Sequence, residues 1–141
     1  SIRAVNADLL ETLLDGYVPV VGPPMLGDDD GEWVAVNSDA DRAAAAIAGA
    51  LDASLVVLTD VPGLLRDVDD TDSLIDRVDS PDALREARTA AEGFMGKKVM
   101  AAEEALEGGA TQVVVASANT DAPIGAALSG AGTTFTPDCI S

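Results

Sequence analysis

The sequence predicts an α/β fold: a mainly parallel sheet covered by helices on both faces, which is a three-layer αβα sandwich. Two observations lead to this prediction. Short, continuously apolar runs such as 55–58 and 113–115 are typical of strands buried on both faces. Segments with helical periodicity and a length of about a dozen residues lie between these runs, as in folds that alternate helix and strand.

The first quarter of the chain is predicted to contain one helix and two strands. Asn6 is a suitable cap for a helix over 7–15, where leucines recur on one face. The apolar run 17–21 predicts a strand because glycine and proline follow it directly. An acidic loop at 27–31 is expected to separate it from a second strand at 33–36.

The remainder alternates between helices and strands. An alanine-rich segment predicts a helix over 39–51, and strand 55–58 follows it. Residues 66–80 are acidic and are expected to face solvent. Proline at a first helical position and glycine at helix ends mark the later boundaries. The later elements are helices at 81–92, 95–107 and 122–128 and strands at 113–115 and 132–135.

Length and composition fit one domain over residues 1–141, with 48% apolar residues to form a core. No apolar run approaches the roughly 18 residues of a membrane span, and no secretory signal pattern is visible. The sequence begins at Ser1 rather than at a methionine. We therefore expect the chain to be part of a longer protein.

The charge is strongly negative. Eight Lys and Arg residues stand against 25 Asp and Glu, a net charge of −17. Such a surface repels nucleic acid and anionic lipid, so neither is an expected partner. Molar salt reduces the Debye length to about 3 Å and removes most of the self-repulsion. With only 3% aromatic residues, this composition predicts a protein of a high-salt cytoplasm, as in a halophile. The alternative is an ordinary acidic domain.

The sequence also restricts the possible chemistry. It contains no histidine, and its single cysteine is Cys139. Ser-His and Cys-His nucleophile pairs, the usual zinc sites and a disulfide within the chain are therefore excluded. Catalysis would depend on Asp, Glu, Lys, Arg and backbone dipoles.

Ligands of open α/β sheets bind beyond the carboxyl ends of the strands, near helix N-termini. Lys97 and Lys98, the only lysines, are adjacent in the first turns of a predicted helix after glycines. A cation there costs about 0.3–1 kcal/mol against the helix dipole. This placement favours a site for a nucleotide phosphate, and a solvated surface lysine is the alternative. Asp39 and Asp41, taken alone, fit helix capping as well as a site.

Three segments in this order resemble the carboxyl-terminal half of amino-acid kinases. They read Asn-Ser-Asp-Ala-Asp at 37–41, Leu-Thr-Asp-Val-Pro-Gly-Leu at 58–64 and Gly-Phe-Met-Gly-Lys-Lys-Val at 93–99. Within the family the chain is most similar to the acetylglutamate kinases and to the kinases of LysW-carrier-linked aminoadipate or glutamate. The resemblance covers essentially the whole chain.

The resemblance implies ATP-dependent phosphorylation of a side-chain carboxylate, with Mg2+ held mainly through the nucleotide phosphates. Asn37 would bind the amino-acid substrate, Asp41 would hold the catalytic lysines, and Lys98 would stabilise the transferring phosphoryl group. The nucleotide site would comprise Thr59, Asp60, Val61, Pro62, Gly63, Leu64, Gly93 and Met95. The implied partners are ATP or ADP, an amino-acid substrate that an acidic LysW-type carrier can hold, and further copies of the full-length protein.

Three positions depart from the family pattern. Phe94 and Gly96 stand where carrier-linked members tend to have basic residues, and Asn119 stands where an arginine is common. The amino-terminal half of the family is missing, so we expect the isolated chain to be inactive. The alternatives are an acetylglutamate kinase, a more distant carbamate, uridylate or glutamate 5-kinase relative, and a catalytically silent nucleotide-binding domain. Retention of Asp41 and Lys98 favours the enzyme over the silent domain.

Overall fold

The computed structural model describes residues 2–141, which form five α-helices and six strands. The helices are α1 (Ala7–Leu14), α2 (Ala40–Ala50), α3 (Pro81–Ala90), α4 (Phe94–Glu107) and α5 (Pro123–Leu128). The strands are β1 (Met25–Asp29), β2 (Glu32–Val36), β3 (Ser54–Thr59), β4 (Arg77–Val78), β5 (Gln112–Ser117) and β6 (Thr133–Phe135). Across residues 2–141, every helix is too short or too polar to span a membrane.

The main sheet has the strand order β3-β5-β6-β4. β3 and β5 are parallel, with Ser54 opposite Gln112 and Thr59 opposite Ser117. β6 runs antiparallel to β5 and parallel to β4. Two of the three strand pairings are therefore parallel, which confirms the predicted mainly parallel sheet.

Both faces of this sheet carry helices. On one face, Leu55 and Val57 of β3 and Val113 of β5 pack in a single cluster with buried residues of α2, α3 and α4. On the other face, Val114 packs with Ala127 of α5. β5 is buried on both sides, which is why its sequence is a continuous apolar run rather than an alternating one. The three-layer architecture is confirmed.

α2 and α4 pack closely because small residues face each other along their contact. A Cβ atom placed on Gly49 would lie only 3.0 Å from the backbone of Gly108. At the other end of the pair, the side chains of Asp41 and Lys98 meet. The two helices are therefore parallel, and each runs antiparallel to the strand that follows it. Their N-termini lie at the carboxyl edge of β3 and β5.

Two predictions for the first quarter of the chain are wrong. Residues 17–21 form no strand, and Val18 and Val20 are almost fully exposed because no strand among residues 2–141 pairs with them. The predicted acidic loop at 27–31 instead supplies most of β1 and the turn of a hairpin with β2. Asp30 and Gly31 both have positive φ, the combination that a two-residue hairpin turn requires.

The expectation that residues 66–80 face solvent is also partly wrong. Ile75 and Val78 are buried, and β4 pairs with β6 through this segment. The segment alternates: Val78 points into the core while Arg77 and Asp79 face outward as an ion pair. In the sequence of this segment the acidic residues outnumber the apolar ones, so the apolar pattern is difficult to recognise. The other predicted helices and strands are present, and their ends lie within two residues of the expected positions.

Residues 2–36, which we call the amino-terminal segment, differ from residues 40–141, the packed region. None of residues 2–36 is buried, and both core clusters lie within the packed region. Ten of the fifteen exposed large hydrophobic side chains belong to the amino-terminal segment. They are Leu9, Leu13, Leu14, Tyr17, Val18, Val20, Val21, Leu26, Trp33 and Val36.

Candidate active site at the carboxyl edge of the sheet

The carboxyl ends of β3 and β5 lie side by side and are tied together beyond the sheet. The Ala118 N–H donates a hydrogen bond of 2.7 Å to the Thr59 carbonyl. The side-chain amide of Asn119 donates to the Asp60 carbonyl at 3.4 Å, and its own N–H donates to the Ser117 hydroxyl. The loops after the two strands therefore form one continuous rim, to which α2 and α4 bring their N-termini.

The start of α2 is fixed by an aspartate cap. The carboxylate of Asp39 accepts hydrogen bonds from the N–H groups of Asp41 and Arg42 at 3.0 and 3.2 Å. This cap satisfies donors that a helix start leaves unpaired and orients the first turn. Asn37 lies exposed between β2 and the cap, and no residue within 2–141 forms a hydrogen bond with its side chain.

The start of α4 has no such cap. Gly93, the cap residue, has a φ of 54°, and among residues 2–141 no heavy atom beyond its chain neighbours lies within 4 Å of the position that its Cβ would take. Any other residue would be strained in this backbone conformation. No side chain among residues 2–141 accepts from the N–H groups of the first turn, although the Met95 N–H donates to the Glu92 carbonyl at 3.0 Å. α4 has 14 residues, and its uncapped N-terminus is suited to binding an anion such as a phosphate.

Lys98 and Asp41 form the central ion pair of the site. The Nζ of Lys98 lies 3.1 Å from Oδ2 of Asp41, although 57 residues separate them along the chain. Their side chains are only 16% and 27% exposed. This burial makes the pair less accessible to water and salt than an ordinary surface ion pair. Asp41 thus fixes the position of the Lys98 ammonium close to the first turns of both helices.

Lys97 has a different environment. Its side chain is exposed, and its Nζ lies 5.7 Å from the ring centroid of Phe94, in cation–π contact. No carboxylate among residues 2–141 is within ion-pair distance of it. Only one of the two adjacent lysines is therefore held by a carboxylate, and that one is Lys98.

The loop after β3 separates into an exposed part and a buried part. The Thr59 hydroxyl donates to the Asp60 carboxylate at 3.1 Å, and Asp60 and Pro62 are exposed while Val61 is half-buried. Gly63 and Leu64 are buried, and the Leu64 N–H donates to the hydroxyl of Thr133 at 2.9 Å. Residues 59–62 can therefore contact a ligand at the rim, while Gly63 and Leu64 anchor the loop against β6.

The structure brings some of the predicted site residues together and leaves others apart. Lys98 and Asp41 are in direct contact, and Gly93 lies one residue before the helix that carries Lys98. Met95 is half-buried and packs against the core rather than reaching outward. The predicted set omits Asn119, whose amide joins the two loops. Its position after the apolar strand 113–115 does mark it in the sequence as a candidate ligand residue.

The groups whose pKa is shifted lie outside the site. A hydrogen bond and the charge of Glu104 raise the pKa of the Arg42 guanidinium, and those of Glu103 raise the pKa of Arg88. Burial raises the pKa of the Cys139 thiol, which favours the neutral thiol over the nucleophilic thiolate. Within residues 2–141, no three Asp, Glu or Cys side chains cluster to hold a metal ion.

Residues 1–117 match the model of the amino acid kinase family. The chain is 48% identical over 117 residues to the acetylglutamate kinase of Methanopyrus kandleri, covering 81% of this chain and 46% of that protein. It is 46% identical over 127 residues to the [LysW]-aminoadipate kinase of Deinococcus radiodurans, covering 89% and 42%. The chain thus spans less than half the length of either relative.

Solved structures give the same fold. The crystal structure of N-acetylglutamate synthase from Neisseria gonorrhoeae, complexed with coenzyme A and L-arginine, superposes with a TM-score of 0.79 at 28% identity. The match covers 97% of this chain and 32% of the synthase. Carbamate kinase from Giardia lamblia bound to AMP-PNP gives a TM-score of 0.69 at 23% identity, over 96% of this chain and 45% of that one.

Proposed function

The chain belongs to the amino acid kinase family, and we propose that it forms the nucleotide-binding part of an ATP-dependent kinase acting on a carboxylate. The ion pair between Lys98 and Asp41 at the uncapped start of α4 is the observation that carries this proposal. A fixed ammonium beside helix N–H groups that no side chain of residues 2–141 caps is suited to a polyphosphate whose charge is redistributed during transfer.

The reaction is the transfer of the γ-phosphoryl group of ATP to a carboxylate oxygen. The new bond joins that oxygen to phosphorus, the bond to the bridging oxygen breaks, and ADP leaves with its electron pair. No protein nucleophile is needed, which suits a chain without histidine and with a buried thiol. Catalysis then rests on positioning and on charge stabilisation.

Each residue of the site has a proposed part in this transfer. Lys98 would offset the charge of the phosphoryl oxygens, while Asp41 acts as a positioning residue that holds the ammonium in place. Segment 59–62, in which Asp60 and Pro62 are exposed, would line the nucleotide site together with Gly93. Asn37, exposed before the α2 cap, would donate to the amino-acid substrate. A Mg2+ ion bound to the nucleotide would neutralise phosphate charge.

The finer proposal is that the acceptor is aminoadipate or glutamate linked to a LysW-type carrier. The similarity to [LysW]-aminoadipate kinases supports it, and the similarity to acetylglutamate kinases supports N-acetylglutamate as the alternative. Phe94, Gly96 and Asn119 carry no positive charge where carrier-linked members tend to have it, and this is the observation that supports the alternative. The parts of the relatives that lie outside the matched region would supply the remaining substrate contacts.

Nucleotide titration of matched lysine variants tests the proposal. Calorimetric titration with Mg-ADP in molar KCl should show that Lys98→Ala weakens binding by about 1.5–3 kcal/mol, the range of a charge-assisted hydrogen bond. Lys97→Ala is the control: it removes the same charge from the adjacent but exposed position and should have the smaller effect. Thermal melts would establish that both variants fold. Equal affinity of Lys98→Ala and the unaltered chain would contradict the role of Lys98.

A further inference from the structure

The loop after β3 is attached to the rest of the protein at two points. At the first, the Asp60 carbonyl accepts a hydrogen bond from the side-chain amide of Asn119 at 3.4 Å. At the second, the Leu64 N–H donates to the hydroxyl of Thr133 at 2.9 Å. The stretch between them, 61–63, forms no backbone hydrogen bond within residues 2–141. The position of this stretch therefore depends on the two attachments.

The attachment to Thr133 is the stronger of the two. The Asn119 bond is long and exposed to water, which can replace it. The Thr133 bond is shorter, and the side chain of Thr133 is completely buried. Losing a buried bond costs more free energy, because the Leu64 N–H would then be left without a partner.

The sequence of the loop is adapted to this contact. A Cβ atom on Gly63 would lie 2.8 Å from Oγ1 of Thr133 and 3.1 Å from its backbone nitrogen. Only glycine therefore lets the loop come close enough for the next residue to reach the hydroxyl. Thr133 is itself fixed in the sheet, because it stands opposite Val115 of β5. The glycine of the 58–64 motif is thus explained by Thr133 and not by contact with a ligand.

The hydroxyl of Thr133 has one visible use. Thr133 and Thr136 are the buried polar side chains among residues 2–141. A buried hydroxyl is costly unless it forms a hydrogen bond, and within this part of the chain Thr133 forms its side-chain bond with Leu64. Valine has the same shape and would fill the position without a hydroxyl. The hydroxyl therefore serves the attachment of the loop rather than the packing of the core.

We propose that Thr133 is a positioning residue for nucleotide binding: its hydroxyl holds the Leu64 N–H and so keeps segment 59–62 ordered at the rim. This inference rests on the proposed function, in which that segment lines the nucleotide site. Thr133 is completely buried, so it acts through the loop and not by contact with the ligand. A loop that is already ordered does not have to be ordered when nucleotide binds, and this raises the affinity.

Two variants separate the hydroxyl of Thr133 from its shape. Thr133→Val keeps the branched side chain but removes the acceptor, and it should weaken Mg-ADP binding in molar KCl roughly 10-fold through the cost of ordering the loop. Thr133→Ser keeps the hydroxyl and loses only a methyl group. It should bind Mg-ADP as the unaltered chain does. Calorimetric titration measures the three affinities.

A third variant controls for loss of stability alone. Val113 is also completely buried, but it lies near the amino end of β5, at the opposite end of the strand from the rim. Val113→Ala should lower the melting temperature and leave the Mg-ADP affinity unchanged. If Thr133→Val likewise lowers the melting temperature without changing the affinity, Thr133 has a structural role only and the proposal is overturned.

Nuclear magnetic resonance measures the order of the loop without nucleotide. In Thr133→Val the Leu64 amide should exchange with solvent faster, because its acceptor is gone. The amides of Val61 and Gly63 should show larger motion in 15N relaxation than in the unaltered chain or in Thr133→Ser. Equal exchange and equal motion in all three proteins would also overturn the proposal.

An internal control and a second route complete the experiment. The Thr111 amide donates to the Ala53 carbonyl at the amino end of the sheet, and its exchange should be the same in all variants. If Thr133→Val does not fold, Mg-ADP added to the unaltered chain should slow the exchange of the Leu64 amide and not that of Thr111. Unchanged Leu64 exchange would then count against the proposal.

Failure of this inference can be told from failure of the proposed function. An unaltered chain that binds no Mg-ADP would contradict the proposed function. The exchange and relaxation measurements on the loop need no nucleotide, so they still decide whether Thr133 holds it in place.

Discussion

Similar signals in the sequence predict α1 and α2, but the two helices are buried to different extents in the structure. Both helices begin at a side-chain cap, Asn6 for α1 and Asp39 for α2. α1 buries no residue, whereas α2 buries four along its contact with α4. Local signals therefore determine where a helix forms, but burial requires a complementary surface. The same contrast separates the amino-terminal segment from the packed region as a whole.

This contrast explains which features of the fold are visible in the sequence. Alanine and glycine on α2 indicate close packing, because no other residues allow helix backbones to approach so closely. The leucines of α1 indicate only an apolar face, whose partner is not among residues 2–141. Stability should thus be concentrated in residues 40–141, and the following predictions test that distribution.

The largest expected effect is in the aromatic core. Phe135 is fully buried at the junction of the sheet with α3 and α4, and Phe135→Ala should destabilise the fold by about 3–5 kcal/mol through lost burial and the cavity left behind. Trp33→Ala is the matched change in the amino-terminal segment. Because Trp33 is 73% exposed, its removal should change stability by about 0.5 kcal/mol or less.

Chemical denaturation, followed by far-ultraviolet circular dichroism, measures both free energies of unfolding. If Phe135→Ala proves too unstable to fold, the loss is at least as large as predicted, and Val78→Ala provides a milder core test. Comparable losses for the Phe135 and Trp33 variants would show that the amino-terminal segment is packed in solution, contrary to the structure.

The candidate site was only partly visible in the sequence, for the same physical reason. Spacing and capping placed Asp41 and Lys98 at the starts of two helices, but only the parallel packing of α2 on α4 brings them to 3.1 Å. Spacing did not distinguish Gly63 and Leu64, which are buried, from the exposed Asp60. Contacts between distant segments depend on topology, which a single sequence does not state.

The error at 17–21 and the missed hairpin have a related cause. β propensity at 17–21 predicts a strand, but a strand needs a hydrogen-bonding neighbour, and none is present among residues 2–141. At 27–31 the acidic residues suggested a loop, yet Asp30-Gly31 is a strong hairpin signal. The turn chemistry outweighed the low β propensity of the aspartates.

A smaller effect is expected for two glycines on the helices that carry the site. Gly49→Ala would place a Cβ 3.0 Å from the backbone of Gly108, which forces α2 away from α4 and should cost about 1–3 kcal/mol. Gly96→Ala is the control: apart from the backbone of its own helix, no atom of residues 2–141 lies within 4 Å of its Cβ position, and alanine is the better helix former. It should stabilise the fold by about 0.5–1 kcal/mol.

Thermal melting of both glycine variants measures these opposite shifts. Nucleotide titration gives a further readout, because moving α2 also moves Asp41 away from Lys98. Gly49→Ala should weaken Mg-ADP binding even where it remains folded. A Gly49→Ala variant with unchanged melting temperature and affinity would show that the close contact of α2 and α4 does not position the site.

The smallest expected effect is the change of stability with salt concentration. It separates the contribution of long-range charge repulsion from that of packing. Lowering KCl from molar to about 0.1 M extends the Debye length from roughly 3 to 10 Å, so the net charge of −17 repels itself over longer distances. Exposed ion pairs such as Arg66 with Glu86 strengthen at the same time, but each contributes only about 0–1 kcal/mol. With repulsion prevailing by about 1 kcal/mol, the melting temperature should fall by roughly 3 °C.

Asp69→Asn removes one charge from the acidic turn, where the Asp69 carboxylate forms no ion pair among residues 2–141, and should reduce this fall. Thermal melts of both proteins across a KCl series provide the measurement. A melting temperature that stays constant or rises as salt is removed would refute adaptation to high salt and leave an ordinary acidic domain.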